Sequence, residues 1–210
     1  MNPTEVTFHD LLFETAPGLV FSPRPATERV VNSALQLVPV DEAARVADVG
    51  TGSGAIAVSL AVTRPKAEFW ATDTNPAAVE LARTNANRHG VADRVHVLQG
   101  DLLDPVPGPV DVVVANLPYL PDSLHDPRYD GEPEDAIYAS GDGLDPYRRL
   151  LNACREGRLV TPGGRVIIQF HREPLTADCW ELEDLRARLE KGADSTAPLK
   201  GRVGSARAAG

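Results

Sequence analysis

Four short segments of the chain carry residue types suited to chemistry. The first is Gly50-Thr51-Gly52-Ser53-Gly54, set between Arg45 to Val49, which reads as a strand, and Ala55 to Thr63, which reads as a helix stopped at Pro65. Glycines at such a junction let backbone approach a ligand closely, and a helix start offers free N–H groups. The second is Asp73, at the end of a strand from Glu68 to Thr72, where a carboxylate can accept hydrogen bonds from ribose hydroxyls. The third is Asp101 with Leu102, after another strand. There the carboxylate can take the amino group of an adenine, and the leucine can pack on its ring. Dinucleotide-binding proteins also use a glycine-rich first turn. Here, however, the spacing is G-x-G-x-G with no glycine at Ala55 or Ile56, so the full dinucleotide fingerprint is missing.

The fourth segment, Asn116-Leu117-Pro118-Tyr119, is the most informative. An amide or aromatic amino nitrogen is a poor nucleophile because its lone pair is delocalised, but it carries two N–H donors. The Asn116 side-chain oxygen and the Leu117 carbonyl can accept one each, holding the lone pair toward a sulfonium methyl. Pro118 stiffens the turn that aims the carbonyl. Tyr119 offers a face for a planar substrate and for positive charge. No strong base is needed first, since the nitrogen becomes acidic as it is alkylated. Positioning carries the catalysis. The plain alternative is an Asx turn followed by an X-Pro bend.

The elements around these segments alternate. Asn75-Pro76 starts a helix, with Asn as N-cap and Pro at the first helical position, that runs to about Arg88 and ends at His89-Gly90. Arg94 to Leu98 and Val110 to Ala115 read as strands. Asp145-Pro146 opens a helix reaching about Gly157. Pro162-Gly163-Gly164 turns the chain into a last strand, Arg165 to Phe170. The pattern predicts an α/β fold with a doubly wound, mainly parallel sheet. In such a sheet, ligands bind where the strand order reverses, which places the glycine loop and Asn116 across one crevice. Residues 1–40 read as a short N-terminal helical and extended segment, 41–190 as the main domain, and 191–210 as a flexible tail. Asp178 to Glu190 has helical periodicity.

Bulk properties narrow the function. The chain has 210 residues, enough for one domain, and 21 Lys and Arg against 30 Asp and Glu give a net charge of −9. That balance disfavours a broad grip on nucleic acid. No apolar run approaches the roughly 20 residues of a membrane-spanning helix. Met1 to His9 does not read as a signal peptide. Cys154 and Cys179 have no metal-ligand spacing, and Cys154 reads as a packing residue. No metal site is expected, and the expected setting is soluble, reducing and cytoplasmic. Asp122, Asp126, Asp130, Glu132, Glu134 and Asp135 make the loop after Tyr119 acidic, with His125 among them.

From about Phe21 to Gln169 the chain resembles the release-factor glutamine methyltransferase family, within the class I S-adenosylmethionine-dependent methyltransferases. The resemblance rests on Ser22-Pro23-Arg24-Pro25-Ala26-Thr27-Glu28, the run from Asp48 through the glycine loop, Asp73-Thr74-Asn75-Pro76 and Asn116 to Tyr119. Its most family-specific piece is Glu132-Pro133 followed by Gly141-Asp142-Gly143-Leu144-Asp145-Pro146-Tyr147-Arg148-Arg149-Leu150. It implies a Rossmann-like fold and S-adenosyl-L-methionine as cofactor. The cofactor would lie against Gly50, Thr51, Gly52, Ser53, Gly54, Asp73, Leu102 and Asn116, with Thr27 nearby. Substrate would lie against Asn116 to Tyr119. The implied partner is a protein with an exposed glutamine, typically the Gly-Gly-Gln tip of a translation release factor.

The chain departs from the family pattern at three places. Leu117 stands where the usual motif has proline, and Asn-Leu-Pro-Tyr also resembles the ribosomal RNA adenine dimethyltransferases. A short segment stands before Phe21 where the family carries a helical docking domain. His171-Arg172-Glu173 stands where a glycine-containing turn is usual and no convincing strand pair follows, so the expectation is a sheet that lacks its usual closing antiparallel pair or pairs that end with another chain. Adenine methylation of RNA, small-molecule methylation and a non-catalytic cofactor-binding subunit remain as alternatives, and the oligomeric state is not read from the sequence.

Overall fold

A computed structural model describes residues 4–156, 159–170 and 176–180. Its frame is a six-stranded sheet. In chain order the strands are β3 (Arg45–Val49), β4 (Glu68–Asp73), β5 (Val95–Gln99), β6 (Val110–Ala115), β9 (Val160–Phe170) and β10 (Thr176–Trp180). Across the sheet the order is β10-β9-β6-β3-β4-β5. The first five pair parallel and β10 pairs antiparallel to β9. The expected doubly wound sheet is therefore present, and its order reverses between β3 and β6. Helices α2 (Ala55–Thr63), α3 (Pro76–Arg88) and α4 (Asp145–Glu156) connect the strands.

Side chains alternate across the sheet and build two cores. Val46, Phe69, Val97, Val112, Val114 and Ile167 face α2, α3 and α1 (Glu28–Leu35). Ala47, Val49, Trp70, Val113, Ala115, Val166 and Ile168 face the other way, onto Leu144, Tyr147, Leu150, Leu151 and Cys154 of α4 and the turn before it. Strands covered on both faces need apolar residues at every position, and 110–115 nearly meets that. Helix α2 is buried almost all round, consistent with its lack of a polar face. Asn75 caps α3 by accepting from the Ala77 N–H at 2.9 Å, with Pro76 as the first helical residue, as its sequence predicts.

Three expectations need correction. The opening of the chain is no helix but an antiparallel hairpin, β1 (Thr4–Phe8) and β2 (Leu11–Thr15). Phe8 and Phe13 are buried against α1 and α3, and period-2 burial outweighs helix propensity there. Strand β9 begins at Val160, not Arg165: Pro162-Gly163-Gly164 forms an irregularity within the strand, opposite Asp111. Asp178 to Trp180 lie in β10 and not in a helix, so the sheet has one antiparallel strand beyond β9. Residues 181–190 and the expected tail from Lys191 lie outside the described residues. Among those described, no helix is long and apolar enough to cross a membrane.

The long loop between β6 and α4 carries a short parallel pair, β7 (Leu120–Pro121) and β8 (Tyr138–Ala139). Gly143 lets the loop close. Its φ is +81°, and a Cβ there would lie 2.3 Å from the Tyr119 carbonyl oxygen. Gly141 also has positive φ, +65°, but open space around it. Gly143→Ala should therefore cost at least about 2 kcal/mol of stability in denaturant unfolding, and Gly141→Ala about 1 kcal/mol. Equal losses would show that the close passage beneath Tyr119 is not a constraint.

Candidate active site

The carboxyl ends of β3 and β6 open into a cavity of about 270 Å³. Its floor is the glycine loop, whose conformation only glycine takes easily: φ is +71° at Gly50 and +56° at Gly52. A Cβ on Gly50 would come within 2.7 Å of Leu117 Cδ2, so the loop and the Asn-Leu-Pro-Tyr turn pack directly together. The loop's N–H groups are largely spent within the protein, contrary to expectation. Gly50 and Thr51 both donate to the Thr72 carbonyl at 2.9 Å, and Gly54 donates to the Thr51 carbonyl at 2.9 Å. Gly52 donates to Asp73 Oδ2, also at 2.9 Å.

Asp73 thus holds the loop with one oxygen and the Asn75 N–H with the other. Burial raises its pKa, and these two hydrogen bonds oppose the rise. A carboxylate has about four acceptor positions, so capacity for a ligand remains. Across the cavity, Arg149 of α4 donates to Asp101 Oδ2, a partner that the sequence did not announce. Leu102 sits beside it at φ +47°, held by a 2.7 Å bond from Thr72 Oγ1 to its carbonyl. A strained leucine lining a cavity is the kind of outlier that clusters at functional sites.

Asn116 lines the cavity at the end of β6, and its Nδ2 points to Thr27 Oγ1 at 3.4 Å. Its Oδ1 is therefore the end left for a ligand. The backbone of Leu117 is fixed by Tyr147, which is fully buried. The Leu117 N–H donates to the Tyr147 hydroxyl at 3.1 Å, and that hydroxyl lies 2.9 Å from the Leu117 carbonyl and bonds the Gln169 carbonyl. Pro118 lines the main cavity. Tyr119 lines a second chamber of about 50 Å³, which shares Phe21, Thr27, Asn116 and Leu117 with the first. Burial, then the hydrogen bond with Tyr129, raises the Tyr119 pKa, so its phenol stays protonated.

A strap running from the turn at Leu19 through irregular backbone to Pro25 lines the cavity with Leu19, Val20, Phe21 and Pro23. Asn75 Nδ2 holds the Leu19 carbonyl at 2.8 Å. Glu132 accepts the Ser22 N–H at 3.1 Å and Arg24 Nη2 at 2.7 Å, which ties the strap to the long loop. This pairing gives the Ser-Pro-Arg-Pro and Glu-Pro segments a shared role that neither shows alone. Among the expected residues, Gly50, Thr51, Gly52, Ser53, Asp73, Asp101, Leu102, Asn116 and Thr27 meet at the main cavity. Gly54 does not line it. Its missing Cβ instead lets α2 approach Ala82 of α3 at 3.1 Å. His125 faces Asp130 on the exposed loop and lines neither chamber.

Residues 13–127 match the methyltransferase small domain family. The chain belongs to that family. It is similar to the release factor glutamine methyltransferase of Moorella thermoacetica, 42% identical over 169 residues, covering 78% of this chain and 58% of that protein. The protein of the same name from Deinococcus radiodurans is 38% identical over 159 residues, covering 74% and 56%. The chain thus spans less than two thirds of the length of these curated relatives. Among solved structures, an RNA methyltransferase from Salinibacter ruber in complex with S-adenosyl-L-homocysteine superposes with TM-score 0.51 at 22% identity, covering 77% of this chain and 92% of that one. The ribosomal protein L11 methylase of Lactobacillus delbrueckii subsp. bulgaricus gives 0.51 at 24% identity, covering 73% and 63%. At these identities the likeness is one of fold, and it agrees with the doubly wound sheet.

Within this methyltransferase small domain, sequence reasoning missed Asp48. The signal was present: one acid among the apolar residues that follow Arg45 in the strand. Asp48 is fully buried, accepts from Thr51 Oγ1 at 2.7 Å and the Ala57 N–H at 3.1 Å through Oδ2, and leaves Oδ1 without a partner. Burial pushes its pKa up to about 6, against 3.8 for a free aspartate, with the two hydrogen bonds opposing. The native state therefore binds the proton more tightly than the unfolded chain, and stability falls as pH rises from about 4 to about 6. Asp48→Asn removes that titration. The stability of Asp48→Asn relative to wild type should rise by about 2 kcal/mol between pH 4 and pH 7, measured by urea unfolding. A pH-independent difference would show that Asp48 is ionised throughout.

Proposed function

We propose that the cavity binds S-adenosyl-L-methionine and that the domain transfers its methyl group to a planar nitrogen, the side-chain amide of a protein glutamine. The observation that carries this is Asn116, whose Oδ1 is left available at the point where the main cavity meets the small chamber. The cavity fits the cofactor. Its volume, about 270 Å³, is close to the lower end of the ~300–1,000 Å³ range of small-molecule pockets. The loop leaves no room for a Cβ at Gly50, and two carboxylates line the cavity from the ends of the neighbouring strands β4 and β5, Asp73 for ribose hydroxyls and Asp101 for an adenine amino group.

Held by the glycine loop and Asp73, S-adenosyl-L-methionine would supply an electrophilic methyl: the nitrogen lone pair would form the N–C bond as the S–C electron pair left with sulfur, and the nitrogen would lose a proton to water. The chain's own residues orient the acceptor. Asn116 Oδ1 accepts one N–H, and Thr27 keeps that oxygen turned to the ligand. The Leu117 carbonyl stands next along the turn, fixed by Tyr147. Tyr119 and Phe21 provide aromatic walls for the planar group. Among the described residues, those lining the small chamber with Asn116 include no carboxylate or imidazole, and none is needed, because the proton leaves after alkylation makes it acidic.

The relatives' name points to a release factor as the protein acceptor, and a cytoplasmic setting is proposed with it. The net charge of −9 disfavours RNA. Wild-type protein with radiolabelled cofactor should label a Gly-Gly-Gln-bearing release factor and not an RNA pool. Asn116→Ala should lower turnover about 100-fold, roughly 3 kcal/mol of positioning and electrostatic stabilisation, with cofactor Kd changed less than about threefold. Full turnover by Asn116→Ala, or label in RNA alone, would remove this reading.

A further inference from the structure

Arg149 is the only basic side chain among the described residues that line the main cavity, where it stands against three carboxylates, Asp73, Asp101 and Asp135. Its direction follows from the helix. Positions three and four apart share one face of α4, so Tyr147, Leu150, Leu151 and Cys154 pack on the sheet while Pro146 and Arg149 reach the cavity. There Arg149 Nη2 donates to Asp101 Oδ2. The residue before it has a different partner: Arg148 donates to both oxygens of Asp142, at 2.8 and 2.6 Å. Two consecutive arginines thus serve two elements, one the loop before the helix and one the far wall of the cavity.

The backbone around Asp101 is fixed without that pair. The Gly100 N–H donates to the Asp73 carbonyl and the Asp104 N–H to the Asp101 carbonyl, both at 3.0 Å, and Thr72 Oγ1 holds the Leu102 carbonyl at 2.7 Å. A Cβ on Gly100 would meet Pro105 Cγ at 2.7 Å, so the turn has no slack. What stays free is the Asp101 side chain, 44% exposed, which on a fixed backbone can turn its carboxylate to the cavity or to water. An exposed ion pair adds little stability, but it does hold a side chain in one geometry. With Oδ2 taken by Arg149, Oδ1 accepts from none of the described residues and is open to a ligand. Such an oxygen matches the N–H of an amino group. Leu102, beside the acid, and Pro146, one turn before Arg149, supply apolar surface for a flat ring. Resting on the reading that S-adenosyl-L-methionine fills this cavity, we infer that Arg149 is a positioning residue for the base, holding Asp101 so that Oδ1 accepts from the 6-amino group of adenine. Helix α4 then sets both ends of the site: Tyr147 fixes the turn that carries Asn116, and Arg149 fixes the acceptor for the purine.

The test uses the full chain and two ligands, S-adenosyl-L-homocysteine and its purine analogue lacking the 6-amino group, with Kd measured by calorimetric titration. Removing the amino group should weaken binding to wild type at least about tenfold, the loss of one hydrogen bond to a charged acceptor. Asp101→Ala should cut that ratio below about twofold, since the acceptor is gone. Arg149→Ala leaves the acceptor in place, yet should cut the ratio below about threefold, with the melting temperature within about 2 °C because the pair is half-exposed. In the Asp101→Ala background, Arg149→Ala should change the ratio no further, because Arg149 acts through Asp101. A wild-type ratio retained in Arg149→Ala, with or without an equal loss of affinity for both ligands, would overturn the proposal and make the pair structural. Tighter binding of S-adenosyl-L-homocysteine by Arg149→Ala would overturn it as well, by making Arg149 a competitor of the base. A ratio near one in wild type would show that Asp101 does not take the amino group, with the same consequence. If wild type binds neither ligand, the cofactor reading itself fails, a result distinct from a tenfold preference that is indifferent to Arg149.

Discussion

The site depends on one buried hydroxyl. The parallel strands β6 and β9 end side by side, and where a sheet ends its backbone groups lose their ladder partners. The Tyr147 hydroxyl accepts the Leu117 N–H and has a single proton to share between the carbonyls of Leu117 and Gln169. Without it those groups would lie buried and unpaired, and the turn carrying Asn116 would have no fixed direction. Helix α4 can deliver the hydroxyl because Leu144, Tyr147, Leu150, Leu151 and Cys154 form one apolar stripe against the sheet. The same segment does more. Asp142 Oδ1 accepts the Leu144 N–H at 3.1 Å, and Arg149 crosses the cavity to Asp101. The stretch from Gly141 to Leu150 is thus one mechanical unit whose function is to set the turn at 116–119.

A second constraint closes the other side. The strap from Leu19 to Pro25 pairs with no strand, so its position rests on side chains. Glu132, 9% exposed, is the buried partner; Arg24 lies 5.5 Å from the Phe21 ring centroid and 5.9 Å from that of Tyr129. A largely desolvated carboxylate that accepts both a guanidinium and a backbone N–H is far harder to separate than an exposed ion pair. The acids of the long loop therefore differ in kind. Asp126 is engaged by Arg128, Glu132 builds the strap contact and Asp135 lines the cavity. Charge density alone does not distinguish these roles.

The parallel sheet and the shared crevice of Gly50 and Asn116 were legible because both rest on local patterns: alternating strands and helices, and the point where strand order reverses. The capped start of α3 was legible because Asn75 and Pro76 act within one turn of themselves. What could not be read needed long-range pairing. The hairpin at 4–15 gains its stability from Phe8 and Phe13 packing on helices far along the chain. The partners of Asp101 and Glu132 lie 48 and 108 residues away. Asp48 was passed over for another reason: its position in a buried strand is visible, but the orphaned Oδ1 is not. The segment at 141–150 was recognised as distinctive with no mechanism attached, because a tyrosine that packs as core and acts through its hydroxyl has no sequence signature of its own.

The glycine loop itself bears on which nucleotide-like ligand suits the cavity. A loop that cradles a pyrophosphate must present N–H groups to it, as dinucleotide-binding turns do at a helix N-terminus. In this loop the N–H groups of Gly50, Thr51 and Gly54 are consumed by backbone carbonyls and that of Gly52 by Asp73. An incoming phosphate would have to displace a carboxylate that already occupies the loop, and would meet its negative charge at close range. A ligand with ribose hydroxyls and a positive centre meets the opposite situation. We propose that the hydroxyls find acceptors at Asp73 and that the cation gains from Asp73 and Asp135 around the same cavity, Asp101 being paired with Arg149. Gly50 then serves close packing against Leu117 and Gly54 close packing against Ala82, and neither serves anion binding, so a G-x-G-x-G spacing suffices where a dinucleotide site needs the longer fingerprint.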